Sequence, residues 1–350
     1  MAAVAPSVPP SSPSQVTPVA DGRPGPWSRW PVRAAVANLA LQVLIVVTGG
    51  IVRLTASGLG CPTWPECTAG SLTPTADQVE GVGKIIEFGN RLLTFAVALG
   101  AIAVLAAVVR WRRPLWPLAA VPLAGTAGQA VLGGVTVLTS LHPATVASHF
   151  LLSTVLIAVS TWLLVRVREP SAPVTSRLPL GWRATTWLLA VLGAAVLVLG
   201  TVVTGSGPHS GDADTPARFA LDLAAVSRVH AASVWVFATV LAGYLIALYR
   251  RRPGGDDGRG PLARARRWAV VTAFLVVLQG AVGYLQYALD LPRPLVAGHL
   301  LLAALFAAAL ALVVLSTRTR GGPPPGQGTM TGMPGHEATS APDGRPVATR

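Results

Sequence analysis

The sequence predicts an all-α integral membrane protein: eight transmembrane helices forming two pseudo-symmetric four-helix bundles, with the N and C termini cytoplasmic. Three observations predict it. The chain of 350 residues is 52% hydrophobic and only 12% charged, with mean hydropathy +0.57, whereas a soluble domain carries about a quarter charged residues. Its apolar residues gather in runs long enough to cross a bilayer, for which about 20 residues suffice. One pattern also occurs twice: Gln129 is followed twenty residues later by His149, and 150 residues further on Gln279 is followed at the same interval by His299. A repeat of this length in an apolar chain points to two related halves.

The runs fall near 34–52, 85–109, 115–138 and 145–165 in the first half, and near 184–204, 225–249, 268–289 and 294–316 in the second. The domains are therefore expected at 34–166 and 184–316, joined by a cytoplasmic linker, 167–183. Residues 1–33 and 317–350 are rich in Pro, Gly, Ser and Ala and read as disordered cytoplasmic tails without a secretory h-region. His336, in the second tail, is expected to have no role.

Arginines set the orientation. Arg29 and Arg33 precede the first run, and Arg110, Arg112 and Arg113 separate the second from the third. Arg166, Arg168, Arg177 and Arg183 lie between the fourth and fifth, Arg250 to Arg252 and Arg264 to Arg267 between the sixth and seventh, and Arg318 and Arg320 after the eighth. The alternate loops hold most of the acids, including Glu66, Asp77, Glu80, Asp212 and Asp290. By the positive-inside rule both termini are cytoplasmic. The net charge of +13 thus follows membrane topology and does not form the single basic face of a nucleic-acid binder.

The first outer loop carries the only cysteines, in Cys61-Pro-Thr-Trp-Pro-Glu-Cys67. On that oxidising side a disulfide can persist, as a staple or as a redox-active dithiol; a metal site would need further ligands. Thr55-Ala-Ser-Gly-Leu-Gly and Thr204-Gly-Ser-Gly-Pro-His209 echo each other in the outer loops of the two halves. Their glycines would let backbone N–H groups approach an anion, unless the segments are plain turns.

Each even-numbered run enters from the outside and has a ligand-type residue about six positions in: Asn90, His149, His230 and His299. At about 1.5 Å per residue all four lie roughly 9 Å below the outer surface. In an up-down bundle, side chains on alternate helices face each other across the core, where cofactors are built in. His230 and His299 are then candidate axial ligands of a haem iron, against the alternative of interhelical hydrogen bonds. His149 faces Asn90, a poor iron ligand. Glu87 and Arg91 share the face of Asn90 at helical spacings, so Glu87 is either an ion-pair partner of Arg91 or a proton acceptor beside a bound group. The second half has Ser227 there and no carboxylate. The first half therefore reads as the reaction site and the second as an electron-transfer site. Arg53, Arg218 and Arg228 are candidate partners of haem propionates or snorkelling anchors, and His142 and His209 are expected as solvated loop residues.

Gly49-Gly-Ile-Val-Arg-Leu-Thr-Ala-Ser-Gly-Leu-Gly-Cys-Pro-Thr-Trp-Pro-Glu-Cys67, Glu87-Phe-Gly-Asn-Arg91, the two Gln-to-His segments and Thr204-Gly-Ser-Gly-Pro-His209 resemble the haem A synthase family over roughly residues 35–316. The resemblance implies oxidation of the C8 methyl of haem O to the formyl group of haem A, destined for cytochrome c oxidase, with water-derived oxygen. It implies a haem b cofactor held by His230 and His299 in the C-terminal half. It places substrate haem O in the N-terminal half near Asn90, Arg91 and His149, with Glu87 as the catalytic residue and Cys61 and Cys67 as a disulfide pair. Haem O synthase and oxidase assembly factors are the implied partners, and a bacterial plasma membrane the implied location. Asn90 stands where much of the family has His, so His149, alone or with water, is expected to hold the substrate iron. The competing readings are a membrane b-type cytochrome that only carries electrons, which needs two complete ligand pairs, and a haem chaperone or transporter in oxidase assembly.

Overall fold

A computed structural model describes residues 29–212, 214, 216–251 and 260–321. The expectations for residues 1–28 and 322–350, His336 among them, lie outside the described residues. Eight helices are long and apolar enough to cross a membrane: α1 (Trp30–Leu54), α2 (Val82–Trp111), α3 (Trp116–Leu138), α4 (Pro143–Arg168), α5 (Leu180–Ser206), α6 (Leu223–Arg250), α7 (Pro261–Ala288) and α8 (Arg293–Leu315). Most extend beyond the apolar runs that predict them, because hydropathy marks only the hydrocarbon-facing part while the hydrogen-bonded helix continues into the interface.

Local chemistry sets the ends. Proline occupies the first turn of α1, α3, α4, α7 and α8, where its missing N–H leaves no helical bond unmade. Asp222 caps α6 by accepting from Ala225 N at 2.7 Å, and His142 caps α4 by accepting from Ala144 N at 3.3 Å. The turns after α3 and α7 have one conformation: Ser140 and Leu141 have φ of 49° and 56°, and Asp290 and Leu291 have 58° and 61°. The same backbone bond closes each, Leu141 N to Thr136 O at 2.9 Å and Leu291 N to Gln286 O at 2.7 Å. The 150-residue repeat thus extends from side chains to backbone.

Packing follows the repeat. In the first half α1 packs on α2 and α4, and α3 on α2 and α4, closing a ring of four; α5 to α8 close an equivalent ring. The halves meet where α4 packs on α8, flanked by α1 on α8 and α4 on α5. That last pair of contacts interchanges when the halves are exchanged, as a pseudo-twofold requires. Val46, Ile157, Ala304 and Ala307 form the apolar seam between them.

The core of each bundle lies toward its arginine-rich end. It is built on Val104, Val108, Ala119 and Leu163 in the first half, and on Leu189, Phe237, Leu241, Leu248 and Phe306 in the second. One further element joins the halves: β1 (Val174–Arg177) pairs antiparallel with β2 (Arg318–Arg320). The second tail, expected to begin at 317, therefore starts with an ordered strand, and the linker at 167–183 contains its partner. Two charged segments so distant in sequence give no pairing signal along the chain.

Candidate functional site

Four ligand-type side chains occupy equivalent places, each set against a glycine of the preceding helix. A Cβ added at Gly133 on α3 would lie 3.3 Å from Cε1 of His149 on α4; Gly200 on α5 stands at the same 3.3 Å from His230 on α6, and Gly283 on α7 at 3.3 Å from His299 on α8. The fourth member is Gly49 on α1, 3.9 Å from Nδ2 of Asn90 on α2 by the same measure. The missing side chains make room for the imidazole rings, Cε1 foremost, against the helix backbone.

The repeated glutamines hold the arrangement one turn away. Gln129 Nε2 donates to the His149 carbonyl at 3.0 Å and to Ser153 Oγ at 2.6 Å, and Gln279 Nε2 donates to the His299 carbonyl at 3.1 Å. The Gln-to-His interval is thus a tie between helices that fixes where the histidine backbone sits.

Nδ1 of His149 and His299 is buried without a hydrogen-bond partner, and the His230 ring approaches the Val196 backbone, yet each side chain as a whole is only half-buried. With Nδ1 turned into the protein, Nε2 is the ring nitrogen left for a ligand. His230 lies close enough to act electrostatically on His299. At this level α2, α6 and α8 contribute few buried apolar side chains; those of α6 and α8 begin at Phe237 and Ala303, below the histidines. Accessible imidazole edges above a solid apolar floor suit a planar macrocycle ligated from the side, so the residues fit a haem.

The first half departs from this pattern at Asn90, whose Oδ1 accepts from Thr48 Oγ1 at 2.8 Å. A cavity of about 260 Å³ lined by Thr48, Ile51, Ile86, Asn90 and Leu93 opens beside it. Glu87 is 6% exposed. Its Oε1 accepts from Arg91 Nε at 3.1 Å and Nη2 at 2.7 Å, and its Oε2 accepts from Cys61 N at 2.7 Å. Arg91 donates onward to the carbonyls of Cys61, Thr63 and Glu66 at 2.9, 3.1 and 3.1 Å. The ion pair of Glu87 and Arg91 therefore seats the Cys61–Cys67 loop, which is closed by a disulfide. Trp64 of that loop packs on Gly134, leaving no room there for a Cβ, one residue from the glycine behind His149.

The remaining candidates are bound into the scaffold. Gly58 N donates to Gly211 O at 2.9 Å and Gly60 N to Ser57 O at 3.2 Å, so these N–H groups serve turns and the contact between the loops after α1 and α5, and the anion-binding expectation does not hold for them. Arg53 reaches across the halves to Thr204 O at 2.7 Å. Arg218 donates to Pro208 O at 3.0 Å, and Arg228 is exposed. His209 Nε2 bonds Leu291 O at 2.9 Å and joins the loops after α5 and α7. Ser227 Oγ, at the place of Glu87, is buried without a partner. Sequence reasoning missed the four glycines and Thr48; Gln-x-x-x-Gly at 129–133 and 279–283 was the available signal.

Residues 33–210 match the family of cytochrome oxidase assembly proteins. Heme A synthase of Symbiobacterium thermophilum is 30% identical over 275 residues, covering 72% of this chain and 85% of that protein. Heme A synthase of Caulobacter vibrioides is 28% identical over 297 residues, covering 70% and 83%. Heme A synthase of Bacillus cereus is 24% identical over 302 residues, covering 80% and 92%.

Proposed function

Because the chain belongs to the haem A synthase family, we propose that it converts haem O to haem A by oxidising the C8 methyl to a formyl group with water-derived oxygen, in the plasma membrane and with both termini cytoplasmic. The observation that carries this reading is the unequal outfit of two equivalent sites: two glycine-backed imidazoles in the second half, one imidazole and an amide in the first.

His230 and His299 would hold a haem b, presenting Nε2 while Gly200, Gly283 and Gln279 fix the rings. When bound, that group would supply one-electron chemistry, so that the four electrons released as methyl and water give formyl and four protons could leave singly toward an external one-electron acceptor. In the first half His149 holds the iron of substrate haem O from one side. Asn90 does not ligate; its carbonyl oxygen is engaged by Thr48, and its amide limits the macrocycle on the other side. Glu87 takes protons released from the substrate methyl. Its carboxylate has about four lone-pair positions, of which Arg91 and Cys61 N occupy three. The disulfide loop with Trp64 covers this half against bulk water. Haem O synthase and oxidase assembly factors are the expected neighbours upstream and downstream.

The test is expression in a host that makes haem O but not haem A, followed by haem extraction. Haem A should accumulate. Haem O bound and returned unchanged would support the chaperone reading, and two bis-histidine low-spin centres in the loaded protein would support the electron carrier.

A further inference from the structure

Opposite the histidine level, the ends of α2, α3 and α4 and the β1–β2 pair surround a second cavity of about 330 Å³, lined by Arg112, Pro114, Leu115, Arg166, Ser171 and Arg320 among others. The charges around it are unbalanced. Arg166 Nη1 meets Glu169 Oε2 at 2.7 Å and Arg320 Nε approaches the same oxygen at 3.5 Å. Arg112 and Arg318 lie within electrostatic reach of the same group, and Arg177 within reach of Arg318. Among the described residues Glu169 is the only acidic side chain on this face, so one carboxylate stands against five guanidinium groups.

The surplus arginines are held without being neutralised. Arg112 donates to the carbonyls of Val167, Arg166 and Glu169 at 3.2, 3.2 and 2.5 Å, and Arg320 Nη1 to Ala172 O at 3.0 Å. Carbonyls fix a fork in place but carry no compensating charge. Nε of Arg318 is buried without a hydrogen bond, and Nε of Arg320 has only its 3.5 Å approach to Glu169. Burial, then the neighbouring Arg166, pushes Arg112 below its ordinary value, and burial is the main cause that lowers Arg318. The cavity also lies at the level of a membrane surface: α2 ends at Trp111 and α3 begins at Trp116, both exposed, and exposed tryptophans gather at headgroup depth.

We propose that this cavity binds the phosphate oxyanion of an anionic phospholipid headgroup. Arginine forks match phosphate oxygens bidentately, and basic pockets between transmembrane helices suit such headgroups. Leu115 and Pro114 give the cavity an apolar wall beside the charge. By joining the linker and the start of the C-terminal segment, a bound headgroup would tie the two halves together on this face.

Native mass spectrometry of the full chain in detergent, titrated separately with phosphatidylglycerol, phosphatidylcholine and inorganic phosphate, reads the binding. Phosphatidylglycerol should bind at least about tenfold more tightly than phosphatidylcholine, and Arg320→Gln should remove about tenfold of that affinity. Ser171→Glu places a carboxylate at the exposed cavity wall without touching the arginine scaffold and should have the same effect, which keeps the test decisive if Arg320→Gln does not fold. Arg250→Gln removes an exposed charge from the end of α6 on the same face and should leave affinity within about twofold. Equal losses in Arg250→Gln and Ser171→Glu, or equal binding of the two lipids, would overturn the proposal. Saturation by inorganic phosphate with no preference for phosphatidylglycerol would overturn the lipid as its source.

Discussion

The two bundles share one framework and differ in what hangs from it. Both have a helix pair in which glutamine grips a histidine carbonyl and glycine backs the ring: Gln129, Gly133 and His149 in one, Gln279, Gly283 and His299 in the other. Across from these, the second bundle has His230 against Gly200, while the first has Asn90 against Gly49, with Thr48 engaging the amide. The first bundle alone seats an ion pair under a disulfide-closed loop. On the proposed reading, the symmetric scaffold would fix the position of a macrocycle, and the asymmetric residues would decide whether its iron is enclosed by two imidazoles or left with one side open. An iron ligated on both sides suits electron transfer, and one with a weakly held side suits reaction.

Removal of a histidine tests that division most strongly. His230→Ala or His299→Ala should abolish the resident haem, read as loss of stoichiometric haem in the purified protein. His149→Ala should keep that haem and abolish haem A production; loss of the resident haem in this variant would break the contrast between the halves.

Glu87 comes next. Glu87→Gln should lower haem A yield by about a hundredfold if the carboxylate transfers a proton, while the amide still accepts from Cys61 N. Glu87→Ala should lower it at least as far and also loosen the loop, seen as faster proteolysis near Thr63. Normal yield in Glu87→Gln would leave Glu87 with its structural role only.

Smaller changes sharpen the comparison by acting behind the ligands. A Cβ at Gly283 would press on Cε1 of His299, and overpacking of this kind costs about 1–3 kcal/mol. Gly283→Ala should therefore shift the resident haem's absorption bands or midpoint potential without removing it. Gly133→Ala should leave that spectrum unchanged and slow haem A formation. An altered resident-haem spectrum in Gly133→Ala would mean that the two sites are not independent. The smallest effect is expected for Gln279→Leu, which deletes one interhelical hydrogen bond worth about 0.6 kcal/mol and should lower the thermal midpoint of the resident haem's spectrum slightly.

Much of this was legible in the sequence. Eight spans were readable because each is a continuous apolar run, and the Gln129–His149 and Gln279–His299 intervals exposed the repeat. Helical spacing put Glu87 and Arg91 on one face and offered their pairing as one of two readings. Its second task did not: Cys61 N reaches Glu87 from a loop 26 residues away, and nothing local encodes that approach. The outer-loop glycines suggested an anion site because their flexibility was visible but the partners of their N–H groups were not. The strand pair β1–β2 was unreadable for a related reason, since short charged segments have no hydrophobic pattern to match.

The sequence by itself determined that eight segments are long and apolar enough to cross a membrane and that each ligand-type residue lies at an equivalent position along its helix, because bilayer insertion depends on composition summed along a segment and position on counting residues along a helix. Only the tertiary structure decided which backbone lies behind each imidazole, that Thr48 holds Asn90, and that arginines from three distant segments gather around Glu169. Those contacts depend on the rotation and mutual approach of different helices, which a count along one chain segment does not contain.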